Sequence, residues 1–396
     1  MRILVVQGAP HSELISGEVV VIASDIDNIS RHCEVRYELI RRPVSLLNRL
    51  VGITWSFQSF NRVLRAIDEH SPDVVHFHTT FPYLSVSVLF AAWLRRIPIV
   101  QSLHNCRYLC VEGGLFRRGG FCNLCVGNSG VAGVFYGCGY GRIPGSIVFL
   151  INFALRTTGW LNRNVSRFIA VSRFVEQQHV VSGFDANKVV TIENAVDPDT
   201  LNLARLPASH KKGIVFTGRV SLSKGSAILE RLITSIDHEI TIIGNGPELN
   251  DLKSLCDYRG YTHVFFTGLI SHFEAIQLVR RAAITVVPSQ CGDSFPTSAI
   301  ESLAVGTPVV ACAVGGLTGL IERSGAGLVI PSNDTKQFTQ AVRGLYVDVE
   351  LRESMAVKGC EYVKRNLHPD QRTQKLMRLY REVSSKSKAK RSDDKC

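Results

Sequence analysis

No stretch of this 396-residue chain offers the run of about 20 apolar residues that a membrane-spanning helix requires. The longest candidate, 147–155, is short and is interrupted by Asn152, so it reads as a packed or interfacial helix. The amino terminus, Met1-Arg-Ile-Leu-Val-Val-Gln7, lacks the apolar region and small-residue cleavage site of a secretion signal and reads as a first strand entering a glycine loop; a cytoplasmic protein is expected. Without a secretion signal, eleven cysteines do not suggest a disulfide scaffold and leave reduced core thiols or a metal cluster. Acidic residues are in short supply: 34 Asp and Glu against 45 Lys and Arg give a net charge of +11. That balance favours an anionic partner, whether nucleic acid, an anionic membrane face or a phosphorylated substrate. No recognisable nucleic-acid-binding motif is present, which argues against a basic, zinc-containing nucleic-acid module.

What is present is an ordinary globular composition, 45% hydrophobic and 20% charged, in a chain too long for one core and suited to two domains of about 190 residues. Strand-like runs at 3–7, 35–39, 74–77 and 99–103 alternate with helical patterns from 18, near 61–70 and near 84–94, which predicts a parallel, doubly wound α/β sheet. Further strands are predicted at 168–171 and 189–193 and a helix at 145–160. The polar stretch 198–212 reads as a linker. The strand–helix pattern restarts at 213–217 and continues through 239–243 and 264–267. The domains expected are therefore 1–197, with a Cys-rich insert at about 106–140, and 213–383. A final helix at 369–383 is a candidate to fold back on the first domain, and a Lys/Ser-rich tail, 384–396, reads as disordered.

The most informative stretch is 284–316. An apolar run at 284–287 reads as a buried strand, a Pro/Ser/Gly loop follows, then a short helix at 297–304 and another buried strand at 309–312. Asp293 lies in the loop and Glu301 inside the helix, spaced D-x7-E so that both can face one ligand. The amides of Phe295, Pro296-Thr297 and Ser298 lie where the helix begins, and its unpaired donors and positive dipole end suit a diphosphate.

This stretch resembles the nucleotide-sugar signature of retaining glycosyltransferases of family 4, which have the GT-B fold. The matching pieces are Asp293-Ser-Phe-Pro296, Glu301-Ser, Gly306-Thr-Pro-Val-Val and Val314-Gly-Gly316, in the family's order. Gly218-Arg219-Val-Ser-Leu-Ser-Lys224-Gly225 is similar to the family's Gly-Arg-x4-Lys-Gly, Gly244-Asn-Gly246-Pro to its Gly-x-Gly-Pro, and Asn194-Ala-Val-Asp197 to its Asn-Gly-Val-Asp. The first loop ends in Gly17-Glu18, where the family has a Gly pair before Glu; here Ser16 replaces the first Gly. Ser102-Leu-His104-Asn-Cys-Arg107-Tyr-Leu-Cys110 is similar to a His-Asn-Tyr-Arg-x-x-Cys segment in one subgroup, whose His lies against the donor sugar.

The resemblance implies two Rossmann-like domains facing a cleft and transfer of a glycosyl group from a nucleotide diphosphate sugar with retention, without a catalytic metal or protein nucleophile. It implies diphosphate contacts from Arg219, Lys224 and the 295–298 amides, ribose contacts from Glu301, sugar contacts from Asp293 and His104, and close backbone approach at Gly17, Glu18, Gly218 and Gly246. Expected acceptors are a glycan or a lipid-linked sugar in polysaccharide assembly; a GT-B nucleotide-sugar epimerase is the alternative enzyme. Cys110, Cys122, Cys125 and Cys138, spaced C-x11-C-x2-C-x12-C, are candidate ligands of a structural zinc, against reduced or redox-active thiols. Finally, the 41–65 stretch interleaves Arg41, Arg42, Arg49, Arg62 and Arg65 with Leu, Trp55 and Phe, the composition of a helix lying on an anionic membrane face, or of a core helix with an Arg-rich exposed side.

Overall fold

In the computed structural model the residues described are 1–9, 17–41, 55–80, 84–139 and 142–393. The chain divides into two compact units: Met1–Gly114 with Asn123–Glu193 and Pro369–Cys396, and Leu115–Cys122 with Asn194–His368.

Unit 1 is built on β1 (Arg2–Ala9), β2 (Glu34–Arg41), β3 (Val74–His78) and β4 (Ile99–Leu103). After the short antiparallel hairpin of β5 (Phe116–Arg117) and β6 (Gly120–Phe121), which belongs to unit 2, come β7 (Arg167–Ala170) and β8 (Val189–Thr191). The sheet runs β2-β1-β3-β4-β7-β8, with every pair parallel. Its inner strands are apolar on both faces, as strands covered by helices on both sides must be: β1, β3 and β4 are buried almost throughout. Ile3, Val5, Val74, Val100 and Ile169 form a core with Leu376, Met377 and Tyr380 of the last helix, so the carboxyl-terminal segment completes the first unit. A buried ion pair fixes that helix: Arg372 Nε and Nη2 donate to the two Asp25 carboxylate oxygens at 2.7 and 2.8 Å.

Unit 2 contains β9 (Ile214–Thr217), β10 (Ile240–Ile243), β11 (Val264–Gly268), β12 (Ile284–Val287), β13 (Val309–Cys312) and β14 (Gly327–Ile330), in the order β11-β10-β9-β12-β13-β14, again all parallel. Ile214, Phe216, Ile240, Ile242, Ile284 and Val286 bring its centre together.

Three expectations about boundaries are corrected. The last helix runs from Pro369 to Asp393, ten residues past the 383 at which disorder was expected, because i,i+4 pairs such as Lys386 Nζ to Glu382 Oε1 at 2.8 Å support its polar extension. The 198–212 stretch is not a free linker. It holds a turn of helix at Pro198–Leu201, a 3-10 turn at Ala208–His210 and the buried Lys211, all within unit 2, whose boundary falls after Glu193 rather than 197. The 115–122 part of the Cys-rich insert also belongs to unit 2: a Cβ on Gly292 would lie 3.2 Å from Leu115 and 3.1 Å from Phe121, so a glycine there leaves room for the hairpin.

Candidate active site

The strand order of unit 2 reverses between β9 and β12, and open α/β sheets bind ligands beyond the carboxyl ends of the strands at such a reversal. The loops there are 218–225 after β9 and 288–296 after β12. They are locked together by a glycine: Gly225 has φ +85° and a Cβ on it would lie 2.0 Å from the Pro288 carbonyl oxygen, and the Gln290 N–H donates to Ser223 O at 2.9 Å. This contact sets Lys224 against Asp293. Lys224 Nζ donates to Asp293 Oδ2, and Ser289 Oγ donates to the same oxygen at 3.1 Å. Asp293 is nearly buried, while a third of the Lys224 side chain stays in solvent, so the cation is the movable partner. The Asp293 main chain is pinned too, its carbonyl accepting from Gly316 N at 2.7 Å.

The helix Thr297–Ala304 follows. Pro296 is its extended N-cap residue and supplies no side-chain hydrogen bond, so the first-turn N–H groups are left to a ligand or water. Phe295, just before the helix, is buried. One turn further on, Glu301 is held by a residue the sequence reading did not select: His272 Nε2 lies 3.1 Å from Glu301 Oε1. The His272 imidazole is pushed above its ordinary range, chiefly by that hydrogen bond and then by the charges of Glu301, Asp197 and Asp199. The signal for its location was local. Ser271 and Glu274 form an S-x-x-E capping box that starts the helix His272–Arg281 at this residue, but nothing local ties it to a carboxylate 29 positions away.

Arg219 is exposed on the β9 loop, whose Gly218 and Val220 N–H groups donate to Ile243 O and Asn245 O, each at 3.0 Å. A Cβ on Gly246 would lie 2.0 Å from the Val220 carbonyl oxygen, so Gly246 serves the packing of these two loops.

Unit 1 reverses between β1 and β3, and it gathers a different set. His78 ends β3 and His104 follows β4; His78 Nδ1 and His104 Nε2 are 2.8 Å apart. His104 Nε2 also lies 4.0 Å from Glu18 Oε1, in the first turn of the helix Gly17–Ser30. Burial, with a contribution from Arg372, drives His104 down to about 3, and it drives His78 well below its ordinary range, so both rings are neutral at pH 7. Burial pushes the Glu18 carboxyl up to about 7 despite the nearby Arg107 charge, and Glu18 Oε1 has no hydrogen-bond partner. Behind them His76, two residues before His78 and on the same strand face, bridges Tyr380 Oη at 2.7 Å and Ser102 Oγ at 2.8 Å. The pairing of His76 with Tyr380 spans 304 positions, beyond any local signal. Gly17 opens the helix that carries Glu18; the residues immediately before it, including Ser16, lie outside those described.

Among the described residues no group of three or more His, Cys, Asp or Glu side chains is placed to hold a metal ion, and Cys110, Cys122, Cys125 and Cys138 are not disulfide-bonded. Cys110 and Cys125 are buried, and Cys125 Sγ lies 3.5 Å from the Gly130 carbonyl, a packing role that a thiol fills as a small hydrophobe. Of the Arg-rich 41–65 stretch, Arg42 and Arg49 lie outside the described residues. In the remainder, Trp55 stacks near Phe60 and Phe90 at 5.8 and 5.5 Å and Arg62 pairs with Glu38 at 3.0 Å, while Phe57 is 71% exposed. Among the described residues no helix is long and apolar enough to cross a membrane.

Comparison with known proteins matches residues 16–200 to the family described as Glycosyltransferase Family 4 and residues 204–361 to Glycosyl transferases group 1. An uncharacterized glycosyltransferase of Methanocaldococcus jannaschii is 23% identical over 319 residues, covering 81% of this chain and 78% of its own length. A phosphatidyl-myo-inositol mannosyltransferase of Mycobacterium leprae is 28% identical over 236 residues, covering 57% of this chain and 61% of its own. Among solved structures, Anabaena HepE in complex with UDP and glucose superposes with a TM-score of 0.68 at 18% identity, covering 96% of this chain and all of that one. Two parallel, doubly wound sheets, each carrying its polar residues at a reversal of strand order, and two transferase models that between them span most of the sequence identify the chain as a glycosyltransferase with the GT-B fold.

Proposed function

We propose that the protein transfers a sugar, with retention at the anomeric carbon, from a nucleoside diphosphate sugar held by unit 2. The observation that carries this is the Lys224–Asp293 contact at the β9/β12 reversal, set beside a helix start whose first-turn N–H groups have no side-chain cap. Lys224 and Arg219 supply cations, and the amides at 297–298 supply fixed dipoles, for the charge that grows on the diphosphate as the glycosidic bond breaks. Asp293, whose carboxylate Lys224 vacates on turning to the diphosphate, accepts from sugar hydroxyls, and Glu301 accepts from the ribose. The leaving phosphate takes the acceptor proton, so no protein nucleophile is assigned. A neutral His104 offers a hydrogen bond to the sugar. Its surrounding segment, like that of the subgroup it resembles, supports the same role. The acceptor is a glycan or a lipid-linked sugar, and the basic 41–65 stretch favours an anionic membrane face as the place of work.

The test incubates the full chain with a panel of nucleoside diphosphate sugars, UDP-sugars first because HepE binds UDP and glucose, together with glycan and polyprenyl-diphosphate acceptors. Expected is acceptor-dependent release of nucleoside diphosphate and a product whose anomeric configuration, read by NMR, matches the donor. Donor conversion without any acceptor would instead indicate epimerisation, and an inverted product would remove the retaining mechanism. Flotation with anionic vesicles tests the membrane reading: attachment should weaken as salt rises, and failure to float at low salt would leave a soluble acceptor.

A further inference from the structure

We infer that His272 is a positioning residue for the donor: it holds the Glu301 carboxylate in register for the nucleoside's sugar hydroxyls and adds a titratable charge to the donor site. The inference rests on the reading that unit 2 holds a nucleoside diphosphate sugar. Its basis is geometric. Glu301 is nearly buried, with 12% of its side chain exposed, and the hydrogen bond from His272 Nε2 reaches its Oε1 at 3.1 Å. Each carboxylate oxygen has two acceptor sites, so this bond orients Glu301 and leaves it able to accept from hydroxyls. The backbone of His272 is fixed as the first residue of its helix. The Ser271 side chain accepts from Glu274 N at 3.2 Å, and Glu274 Oε2 accepts from Ser271 N at 3.0 Å, which closes the helix start around it.

The groups facing His272 come from three places. Glu301 lies on the Thr297–Ala304 helix, Asp197 and Asp199 lie at the turn preceding and within Pro198–Leu201, and Glu274 is on its own helix, where its oxygen is occupied by Ser271. The positive end of that helix favours the neutral ring. The hydrogen bond to Glu301 and the charges of Glu301, Asp197 and Asp199 outweigh this and favour the cation. The charge is present at low pH and is lost as pH rises through a value above the ordinary 6.5. A cation beside a site that takes a diphosphate strengthens donor binding, so donor affinity should fall across that rise.

The test uses the full chain and measures KM for the donor and kcat from about pH 5.5 to about 8.5, a window that spans histidine titration. Two variants separate the bond from the charge. His272→Ala removes both, and His272→Gln keeps an N–H at the Nε2 position without a charge. Expected for the alanine variant is a donor KM raised about tenfold with kcat within about twofold, and no inflection with pH. The glutamine variant should recover most of the affinity at high pH and still lack the inflection. Wild-type KM and pH profile in His272→Ala, or no recovery in His272→Gln, would overturn the inference. Glu301→Gln keeps the two failures apart: if it leaves donor KM unchanged, the donor-site reading is wrong; if it raises KM while His272→Ala does not, only the role of His272 is.

Discussion

Replacing Lys224 with Ala tests the donor site most directly, because the structure allows its two effects to be sized separately. On stability, the loss is that of one ion pair with Asp293 whose lysine is a third exposed, so solvent screening holds it to at most about 1 kcal/mol, or about 2–4 °C in melting temperature for a unit of this size. Asp293 keeps its 3.1 Å hydrogen bond from Ser289 and its main-chain anchors, so the loop stays in place. On catalysis, the proposed reading makes the loss that of a cation aimed at a charge that appears only as the diphosphate departs. Removing one such group costs roughly 100- to 1,000-fold, about 3–4 kcal/mol of transition-state stabilisation. The assay is kcat/KM at subsaturating donor alongside a thermal melt. The expected pattern is a loss of about two to three orders of magnitude with a nearly unchanged melt, and partial recovery in Lys224→Arg, whose planar fork reaches phosphate with different geometry. A double-mutant cycle with Asp293→Asn should be strongly non-additive, since the two side chains share one contact. A kcat/KM within threefold of wild type would refute the assignment.

Other consequences follow from groups held away from their ordinary ionisation. For Glu18 the folded carboxyl titrates near 7, above its unfolded value of 4.5, so the stability it permits is complete at low pH and is lost as pH rises through 7. Glu18→Gln should therefore be more stable than wild type by about 1–3 kcal/mol at pH 8, discounted for its partial exposure, and nearly equal at pH 4; a gap that does not change with pH would refute this. Lys211 is buried and lowered to about 7, with Nζ donating to Gly306 O and Thr307 Oγ1, both at 2.7 Å. Because the unfolded chain keeps a proton that folded Lys211 releases, denaturant titrations should show wild type gaining stability from pH 7 toward 10 relative to Lys211→Met, and parallel pH slopes would count against it. Gly315→Ala should lower the melting temperature by several degrees and donor affinity with it, since the residue sits at φ +62° and its Cβ would lie 2.1 Å from the Asp293 carbonyl oxygen; an unaffected donor KM would show that Asp293 is not held from there.

What could be read from the sequence was whatever depends on neighbours along the chain. The runs at 284–287 and 309–312 are the strands β12 and β13, because a strand covered on both faces must be apolar throughout. Lys224, Asp293 and Glu301 are singled out by motif spacing, and the fold brings Lys224 and Asp293 together across 69 positions. Contacts without a local cause were not legible. His272 begins a helix for reasons of capping, and its carboxylate partner is supplied by another helix. The tail beyond 383 is polar and rich in Lys and Ser, which lowers intrinsic order, but it continues a helix whose earlier turns are packed into a core through Leu376 and Tyr380.

The two units place polar residues at equivalent points of their sheets but in opposite electrostatic states, and the difference constrains the chemistry. In unit 1 burial favours the neutral rings of His78 and His104, which can give or accept a hydrogen bond. In unit 2 the cations are Lys224, with a third of its side chain in solvent, and Arg219, which is exposed. On the proposed reading, the positive charge for a departing diphosphate comes from the β9 loop of unit 2, whereas the neutral imidazoles of unit 1 have the chemistry for recognising hydroxyl groups.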